Sequence, residues 1–221
     1  PNGVDISAFP LATPASTRRA RAALGIDDDR PVVLHYGRLT RSKGVLALLE
    51  AWGRVHASTR VLVGHGTPPA PAPVLVLAGA LSAADAPAVR RAIAALPPGS
   101  VIVVPERDDV VPVLHAADVV VAPSIEPEGY GRVVVEAMST GRPVVAAASG
   151  GTAEILRGEW ARFTVEPTDT DALADTLIEA LHASGTEPGL ADRCRAWVRD
   201  HHGRDRHVAA LLQALRDHAE H

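Results

Sequence analysis

A run of apolar residues followed by two closely spaced glycines constrains this chain more than any other stretch. Val119 to Ala122 is uninterrupted and apolar, which is typical of a strand buried on both faces of a parallel sheet. Gly129 and Gly131 follow, where the backbone has to turn, and the segment from about Tyr130 onward can only be a helix if it is ordered. The stretch therefore predicts an α/β domain, with a mostly parallel sheet and helices on both faces.

The start of this helix is a predicted anion site. Its first N–H groups, from about Tyr130 to Val133, have no partner inside the helix, so they attract an anion, most often phosphate. Glu128 lies just before the helix and Glu136 eight residues later, and carboxylates bind hydroxyl groups, not phosphate. If Glu136 lies about six residues into the helix, it is roughly 9 Å from the anion along the axis. A nucleotide diphosphate sugar, with a polyol on each side of a diphosphate, matches that spacing.

A second polar loop follows another predicted strand, Val32 to Tyr36. It contains Arg38 and Lys43 and leads into an amphipathic helix that begins near Val45. Ligands of open parallel sheets bind at the carboxyl ends of the strands, so both side chains are expected where the ligand lies. Arginine offers a planar fork for phosphate oxygens, and lysine offers a point charge. Arg41, in the same loop, is expected to face solvent.

These motifs resemble those of a known enzyme family. The run Glu128 to Glu136, read EGYGRVVVE, continues as Ala137 and Met138 and then as Gly141 to Val145, read GRPVV. It is similar to the paired-glutamate signature of retaining glycosyltransferases of family 4. The resemblance covers most of Pro1 to about Val165. It implies a Rossmann-like domain that is one half of a GT-B fold, namely the C-terminal half, which binds the donor.

The resemblance also implies a role for each site residue. Glu128 is expected to be catalytic and to hold the donor sugar together with Gly129 and Tyr130. Glu136 is expected to hold the ribose. The diphosphate is expected to bind the two basic side chains and the helix start, which are Arg38, Lys43, Gly131, Arg132 and Val133. The loop after the predicted strand Val101 to Val104 is expected to meet the nucleobase, through Pro105, Glu106 and Arg107.

The implied reaction moves a sugar from a UDP- or GDP-linked donor to an acceptor that the sequence does not identify, with the anomeric configuration kept. The nucleotide sugar is a co-substrate. Neither a cofactor nor a metal is expected, because the sequence contains no evident metal-ligand set. Two alternatives remain open: a non-catalytic module that binds a nucleotide sugar for regulation, and a sugar-nucleotide epimerase of the GT-B fold.

Charge and composition limit the partners. The net charge of −4 gives no general attraction for nucleic acid or for an anionic membrane surface. No apolar run approaches the ~20 residues of a membrane-spanning helix, and no secretory signal opens the chain. Cys194 is the only cysteine, and its apolar helical position predicts a core thiol, as expected in a reducing cytoplasm.

The 221 residues are expected to form a single donor-binding domain. Residues 1–30 resemble the segment that follows the crossover from an N-terminal acceptor-binding domain, so that domain of the same enzyme is the expected partner. Without it, the chain alone is expected to be inactive. Residues 57–73 are expected to be a proline-rich insertion with an edge strand or loop at Arg60 to Gly66, ahead of the strand Val74 to Gly79. Residues 203–221 are expected to form a C-terminal helix.

Three smaller features complete the expectations. Gly150 and Gly151 either bring backbone N–H groups to the donor or form a plain turn. His115 is expected to pack or to cap a helix. Trp160 is expected on the surface or against a partner.

Overall fold

The computed structural model describes residues 3–27, 29–61 and 71–219. Its strands are β1 Val32–Tyr36, β2 Val74–Ala78, β3 Val101–Val104, β4 Val119–Ala122, β5 Val144–Ala147 and β6 Thr164–Val165. They form one parallel sheet in the order β3-β2-β1-β4-β5-β6. The predicted α/β domain with a parallel sheet is confirmed.

Helices connect and cover these strands. They are α1 Pro14–Ala23, α2 Val45–Val61, α3 Ala86–Ala94, α4 Val111–Ala116, α5 Arg132–Ser139, α6 Gly151–Ile155, α7 Thr170–Thr186, α8 Leu190–His202 and α9 Arg204–Ala219. Short 3₁₀ helices span Ile6–Ala8 and Gly158–Phe163. Within the described part of the chain, no helix has both the length and the apolar character needed to cross a membrane.

The direction in which the sheet grows reverses between β1 and β4. From β1 the chain moves outward through β2 to β3, and from β4 it moves outward the other way to β6. Because parallel crossovers are right-handed, the helices that connect the strands of the two halves lie on opposite faces. Accordingly, α2 packs with α3, whereas α5 packs with α8, and α1 with α4; α7, which follows the last strand, packs back on α2. A crevice is left at the carboxyl ends of β1 and β4, the switch point where such sheets bind ligands.

The core fills both faces of the sheet. Every residue of β1, β2, β4 and β5 is buried, because helices cover these apolar strands from both sides. Trp52 of α2, Leu114 of α4 and Met138 of α5 are fully buried against them. The carboxyl end of β1 is unusual in a buried strand, because His35 and Tyr36 bring polar atoms into the interior.

Helix α2 is longer than the sequence predicted. It continues to Val61, so residues 57–61 of the predicted insertion are helical and no edge strand or loop begins at Arg60. The helix can extend this far because no proline interrupts the chain before Pro68. Residues 62–70 of the predicted insertion lie outside the described residues. Strand β2 begins at Val74 as predicted and lies between β1 and β3.

Three predictions about single side chains can be compared with the structure. Trp160 is buried, so the expected surface position is wrong. The 3₁₀ helix Gly158–Phe163 packs on β5 and α7, and its indole and Phe163 therefore fill the core. The expected packing role of His115 is confirmed, with its Nε2 lying 2.9 Å from the Pro10 carbonyl oxygen. Cys194 is a buried free thiol, as predicted.

The first described residues meet the junction of the last two helices. The Val4 N–H donates to the His202 carbonyl at 2.9 Å, and the Arg204 N–H donates to the Val4 carbonyl at 2.9 Å. Helix α9 begins at Arg204, within the predicted C-terminal helix of residues 203–221, whose last two residues lie outside the described part. This pairing fixes the opening segment against the C-terminal helices.

Candidate functional site

The loops that follow β1 and β4 are in direct contact at the switch point. The Ile125 N–H donates to the Ser42 carbonyl at 2.9 Å. Gly44 has a φ of +76°, and a Cβ at this position would lie 1.9 Å from the Pro123 carbonyl oxygen. Only glycine allows so close an approach of two backbones. The basic loop and the glutamate loop, far apart in sequence, are therefore joined at the edge of one cleft.

This cleft has a volume of about 620 Å³. It brings together most of the site residues predicted from the sequence, which are Arg38, Lys43, Glu106, Glu128, Tyr130, Gly131, Arg132, Val133 and Glu136. Arg107 lines an adjoining cavity of about 90 Å³, which it shares with Glu106. Pro105 is exposed and lines neither cavity, and Gly129 is exposed in the loop between Glu128 and Tyr130.

Helix α5 presents an uncapped start to the cleft. It begins at Arg132, slightly later than predicted, and its N-cap Gly131 has a φ of +80° and a ψ of +47°. This left-handed conformation favours glycine, and no side chain caps the helix. Gly131, Arg132 and Val133 all line the cleft. The arrangement is suited to an anion, because the N–H groups of the first turn lack helical acceptors.

Glu136 is buried and both of its carboxylate oxygens are engaged. The Tyr36 hydroxyl donates to Oε2 at 2.7 Å. Arg132 donates to Oε1 from Nε at 3.1 Å and from Nη2 at 2.8 Å. Burial, with the added effect of the Glu136 charge, raises the pKa of Tyr36 well above its usual value. The phenol therefore stays protonated and acts as a donor to the carboxylate.

Glu128 has partners of another kind. Its Oε1 accepts hydrogen bonds from Lys43 Nζ and from Ser124 Oγ, both at 2.5 Å. Burial favours a raised pKa for Glu128, but the hydrogen bonds from Lys43 and Ser124, and the charges of Lys43 and Arg38, outweigh it and lower the pKa. Glu128 is therefore ionised at neutral pH. It is paired with a lysine for which the sequence predicted a different partner, the diphosphate.

The glycines before α6 hold the Glu128 loop in place. The Gly151 N–H donates to the Glu128 carbonyl at 2.7 Å, and Glu128 and Gly150 form a parallel bridge. The Gly151 N–H is thus used within the protein, which favours the turn interpretation of these two glycines. Thr152, the next residue, lines the cleft.

Tyr130 lies between the cleft and the end of α8. Its ring centroid is 6.4 Å from that of His202. Burial, with contributions from the charges of His201, Arg157 and Arg206, lowers the pKa of His202 to about 4. His202 is therefore neutral at pH 7 and brings no positive charge of its own to Tyr130.

Sequence reasoning missed several side chains that line the cleft, among them His35, Tyr36 and Ser124. His35 Nδ1 lies 3.1 Å from the Val121 carbonyl oxygen, and burial lowers the pKa of the ring, so the neutral ring donates from Nδ1. One signal was available, because the run VVLHY ends in two residues with polar atoms at a strand terminus that faces the switch point. Ser124 carries no such signal, because serine is common in any loop.

The charged groups of the cleft are not arranged as metal ligands. Within residues 3–27, 29–61 and 71–219, no cluster of three or more histidine, cysteine, aspartate or glutamate side chains has the geometry to hold a metal ion. The polar groups on the cleft wall are instead suited to phosphate oxygens and hydroxyl groups.

Comparison with known proteins gives a consistent result. The family model described as "Glycosyl transferases group 1" matches residues 16–198. A D-inositol 3-phosphate glycosyltransferase from Mycobacterium sp. (strain KMS) is 36% identical over 179 residues, which are 81% of this chain and 38% of that protein. One from Xylanimonas cellulosilytica is 34% identical over 215 residues, or 96% of this chain and 49% of that protein. The chain thus spans less than half the length of these relatives.

Solved structures share the fold. HepE from Anabaena, crystallised in complex with UDP and glucose, has a TM-score of 0.80 and 25% identity, covering 97% of this chain and 55% of HepE. The C-terminal domain of LpcC, a group 1 glycosyl transferase from Francisella tularensis, has a TM-score of 0.68 and 21% identity. This match covers 91% of the present chain and 99% of that domain. The Rossmann-like fold expected for half of a GT-B structure is therefore confirmed.

Proposed function

Since the chain belongs to the glycosyl transferases group 1 family, we propose that it binds a nucleotide diphosphate sugar and forms the donor half of a retaining glycosyltransferase. One observation carries the proposal. Two basic side chains, an uncapped helix start and two carboxylates line a single cleft at the switch point of a parallel sheet. Each of these groups matches a different part of such a ligand.

We propose that each group of the cleft binds a different part of the donor. Arg38, Lys43 and the start of α5 supply positive charge and N–H donors for the diphosphate. Glu136 accepts hydrogen bonds from the ribose hydroxyls, and Glu128 accepts them from the sugar. The nucleobase lies towards the loop after β3, where Glu106 and Arg107 border the adjoining cavity.

The same groups account for the proposed chemistry. As the bond between the sugar and the diphosphate breaks, its electron pair goes to a phosphate oxygen. The acceptor oxygen bonds to the same sugar carbon on the same face, and its proton passes to an oxygen of the departing diphosphate. Negative charge therefore grows on the diphosphate, where Arg38, Lys43 and the helix start are already in place to stabilise it. None of these groups requires a metal ion.

The hydrogen bond between Lys43 and Glu128 has to change when the proposed donor binds. The Lys43 ammonium group has three N–H donors, one of which is directed at Glu128, and a bound diphosphate would compete with Glu128 for its positive charge. We infer that Lys43 turns at least partly toward the diphosphate when the donor binds. One lone pair of Glu128 Oε1 then becomes available to a sugar hydroxyl.

The activity of the whole enzyme requires an acceptor site. Because the chain spans 38% and 49% of the two relatives described above, we propose that an N-terminal domain of the same enzyme supplies that site. The chain alone would then bind the donor without transferring the sugar. The relatives named as D-inositol 3-phosphate glycosyltransferases make a phosphorylated polyol the first acceptor to test in the whole enzyme.

Calorimetric titration of the purified chain tests the proposal. UDP, GDP and ADP are titrated first, and UDP is expected to bind because HepE was crystallised with it. UDP-glucose is titrated next, with and without EDTA, and equal affinities are expected in both. The absence of binding by all three nucleoside diphosphates would refute the proposed donor site. Turnover of UDP-glucose by the chain alone, at a rate typical of enzymes, would refute the need for a second domain.

A further inference from the structure

The Glu136 carboxylate, which we assign to the ribose, accepts a hydrogen bond from Tyr36, a residue outside the run Glu128 to Glu136. Tyr36 and Glu136 come from different elements, the carboxyl end of β1 and the middle of α5. Their side chains meet at 2.7 Å between the Tyr36 hydroxyl and Glu136 Oε2. Tyr36 is 7% exposed and Glu136 is 6% exposed, yet both line the cleft. The contact is therefore shielded from bulk water but lies at the wall that a ligand would touch.

We propose that Tyr36 is a positioning residue that aims the Glu136 carboxylate at the two ribose hydroxyls, and so makes the cleft selective for ribonucleotides. This inference rests on the proposed function, because it assumes that Glu136 meets the ribose. A carboxylate offers about four lone-pair sites on its two oxygens. Tyr36 uses one on Oε2, and Arg132 uses Oε1. Arg132 donates to Oε1 twice, so one site stays open on Oε2 for a hydroxyl, and Oε1 accepts the neighbouring hydroxyl when the largely exposed Arg132 side chain moves away.

Tyr36 is better placed than Arg132 to fix the carboxylate. The Arg132 side chain is 77% exposed, and an ion pair on the surface contributes little to holding a geometry. Tyr36 extends from a strand that is paired on both sides, with β2 and with β4. The Tyr36 hydroxyl has one hydrogen, and the Val133 carbonyl at 3.4 Å is a far weaker acceptor than the carboxylate at 2.7 Å.

Two nucleotides that differ only in their ribose hydroxyls can show whether Tyr36 positions Glu136 or only fills space. If Tyr36 only fills space, its loss changes the affinity for every nucleotide alike. If Tyr36 aims Glu136, its loss weakens a ligand with both ribose hydroxyls and leaves a ligand without them unchanged. UDP and 2′,3′-dideoxy-UDP form such a pair.

The test is calorimetric titration of the wild-type chain and of Tyr36→Phe with both ligands. Wild type is expected to prefer UDP. Tyr36→Phe is expected to bind UDP about fivefold to tenfold more weakly, the effect of one lost hydrogen bond, while 2′,3′-dideoxy-UDP changes by less than about twofold. Tyr130→Phe is the control for loss of a phenol hydroxyl from the same cleft: Tyr130 is expected at the donor sugar, which neither ligand contains, and its hydroxyl has no hydrogen-bond partner among the described residues. It should keep the wild-type ratio of the two affinities.

A second measurement leaves Tyr36 intact, in case Tyr36→Phe does not fold. The chain has two tyrosines, so Tyr130→Phe labelled with ¹³Cζ-tyrosine gives a single signal from Tyr36. UDP is expected to shift this signal more than 2′,3′-dideoxy-UDP does. Equal shifts, or an equal loss of both affinities in Tyr36→Phe, would overturn the inference. The proposed function fails separately, if wild type binds none of UDP, GDP and ADP.

Discussion

Glu136 and Glu128 belong to one motif and are eight residues apart, but the protein holds them in different ways. Glu136 is buried, and its contact inside the protein is with a neutral phenol, supplemented by the largely exposed Arg132. The Glu128 side chain is 25% exposed and accepts hydrogen bonds from Ser124 and from the ammonium group of Lys43. The Glu136 carboxylate is therefore held in place by the protein itself, whereas Glu128 shares Lys43 with the diphosphate of the proposed ligand.

Because Glu136 and Glu128 have different partners, different contacts have to change at each of them when the proposed donor binds. Tyr36 can stay in place while Glu136 accepts a hydroxyl on the open lone pair of Oε2, and only the exposed Arg132 side chain has to move for a second hydroxyl to reach Oε1. Lys43 has to serve both Glu128 and the diphosphate. In the proposed assignment, the nucleotide end of the cleft is therefore largely preformed, and the sugar end is coupled to the binding of phosphate.

Glu136→Ala should produce the largest loss of affinity. It removes acceptors for hydroxyls that UDP and UDP-glucose share, so both should bind about 1.5 to 3 kcal/mol more weakly, the range for hydrogen bonds to a charged group. Calorimetric titration of both ligands measures this loss, and the melting temperature shows whether the variant is folded. A loss confined to UDP-glucose would place Glu136 at the sugar and reverse the comparison.

Glu128→Ala should separate the two ligands. UDP-glucose is expected to lose about 1.5 kcal/mol relative to UDP, because only the sugar nucleotide meets Glu128. UDP itself should bind as tightly as before or a few-fold more tightly, because Lys43 no longer has Glu128 as a competing partner. Titration of both ligands into one folded variant cancels any general loss of stability.

Two results would contradict this coupling. Equal weakening of UDP and UDP-glucose by Glu128→Ala would remove Glu128 from the sugar site. A loss of UDP affinity alone would mean that the Glu128 carboxylate keeps Lys43 in its binding position, in which case the sugar end is as preformed as the nucleotide end.

The sequence was sufficient for the parts of this site that depend on local pattern. The apolar run before Gly129, the glycines and the helix predict the loop after β4, and Arg38 and Lys43 stand at the end of a strand, where ligands of such sheets bind. It did not predict that these loops touch, because that contact depends on strand order. The pairing of β1 with β4 joins residues almost ninety positions apart, and no local pattern encodes it.

The same limit explains the partners that sequence reasoning missed. Tyr36 meets Glu136 only because β1 pairs with β4, the strand that precedes α5, and Lys43 meets Glu128 only because Gly44 packs on the loop after β4. Trp160 was expected at the surface because polar neighbours surround it in sequence, whereas the 3₁₀ turn directs its indole into the core. Side-chain partners across elements follow from tertiary packing, which a single sequence does not display.

Arg38→Ala and Lys43→Ala should each weaken UDP by a smaller factor. Both side chains are in contact with water at the cleft, so each charge contact is expected to contribute about 1 kcal/mol or less. The remaining affinity should depend less on salt, because a screened interaction has been removed. Titrations at low and high salt measure both effects.

Arg41→Ala is the matched control for this prediction. Arg41 is, like Arg38, an exposed arginine of this loop, but it does not line the cleft. Its removal should leave both the UDP affinity and the salt dependence as in wild type. An equal effect of Arg38→Ala and Arg41→Ala would show that the loop acts through general charge alone.

The smallest expected effect is on stability without ligand, and it depends on pH. The pKa of Glu128 is lowered from its ordinary value of 4.5 in the folded protein, so the unfolded chain binds more protons than the folded chain as pH falls below that value. The contribution of Glu128 to the free energy of unfolding is therefore present above about pH 4.5 and is lost as pH falls through the lowered pKa. For a partly exposed pair it is expected to be a few tenths to about 1 kcal/mol.

Urea unfolding of wild type and Glu128→Gln at pH 7 and at pH 3.5 measures this contribution. Wild type should be the more stable protein at pH 7, and its advantage should shrink at pH 3.5, because Glu128 of the unfolded chain has then largely taken up a proton and part of the stabilisation is lost. In a Lys43→Met background the advantage at pH 7 should itself become smaller, because the cation that lowers the pKa is gone. If the advantage stays the same with and without Lys43, Ser124 alone holds Glu128. Lys43 is then free to bind phosphate from the outset, and the two ends of the cleft do not differ in the way described above.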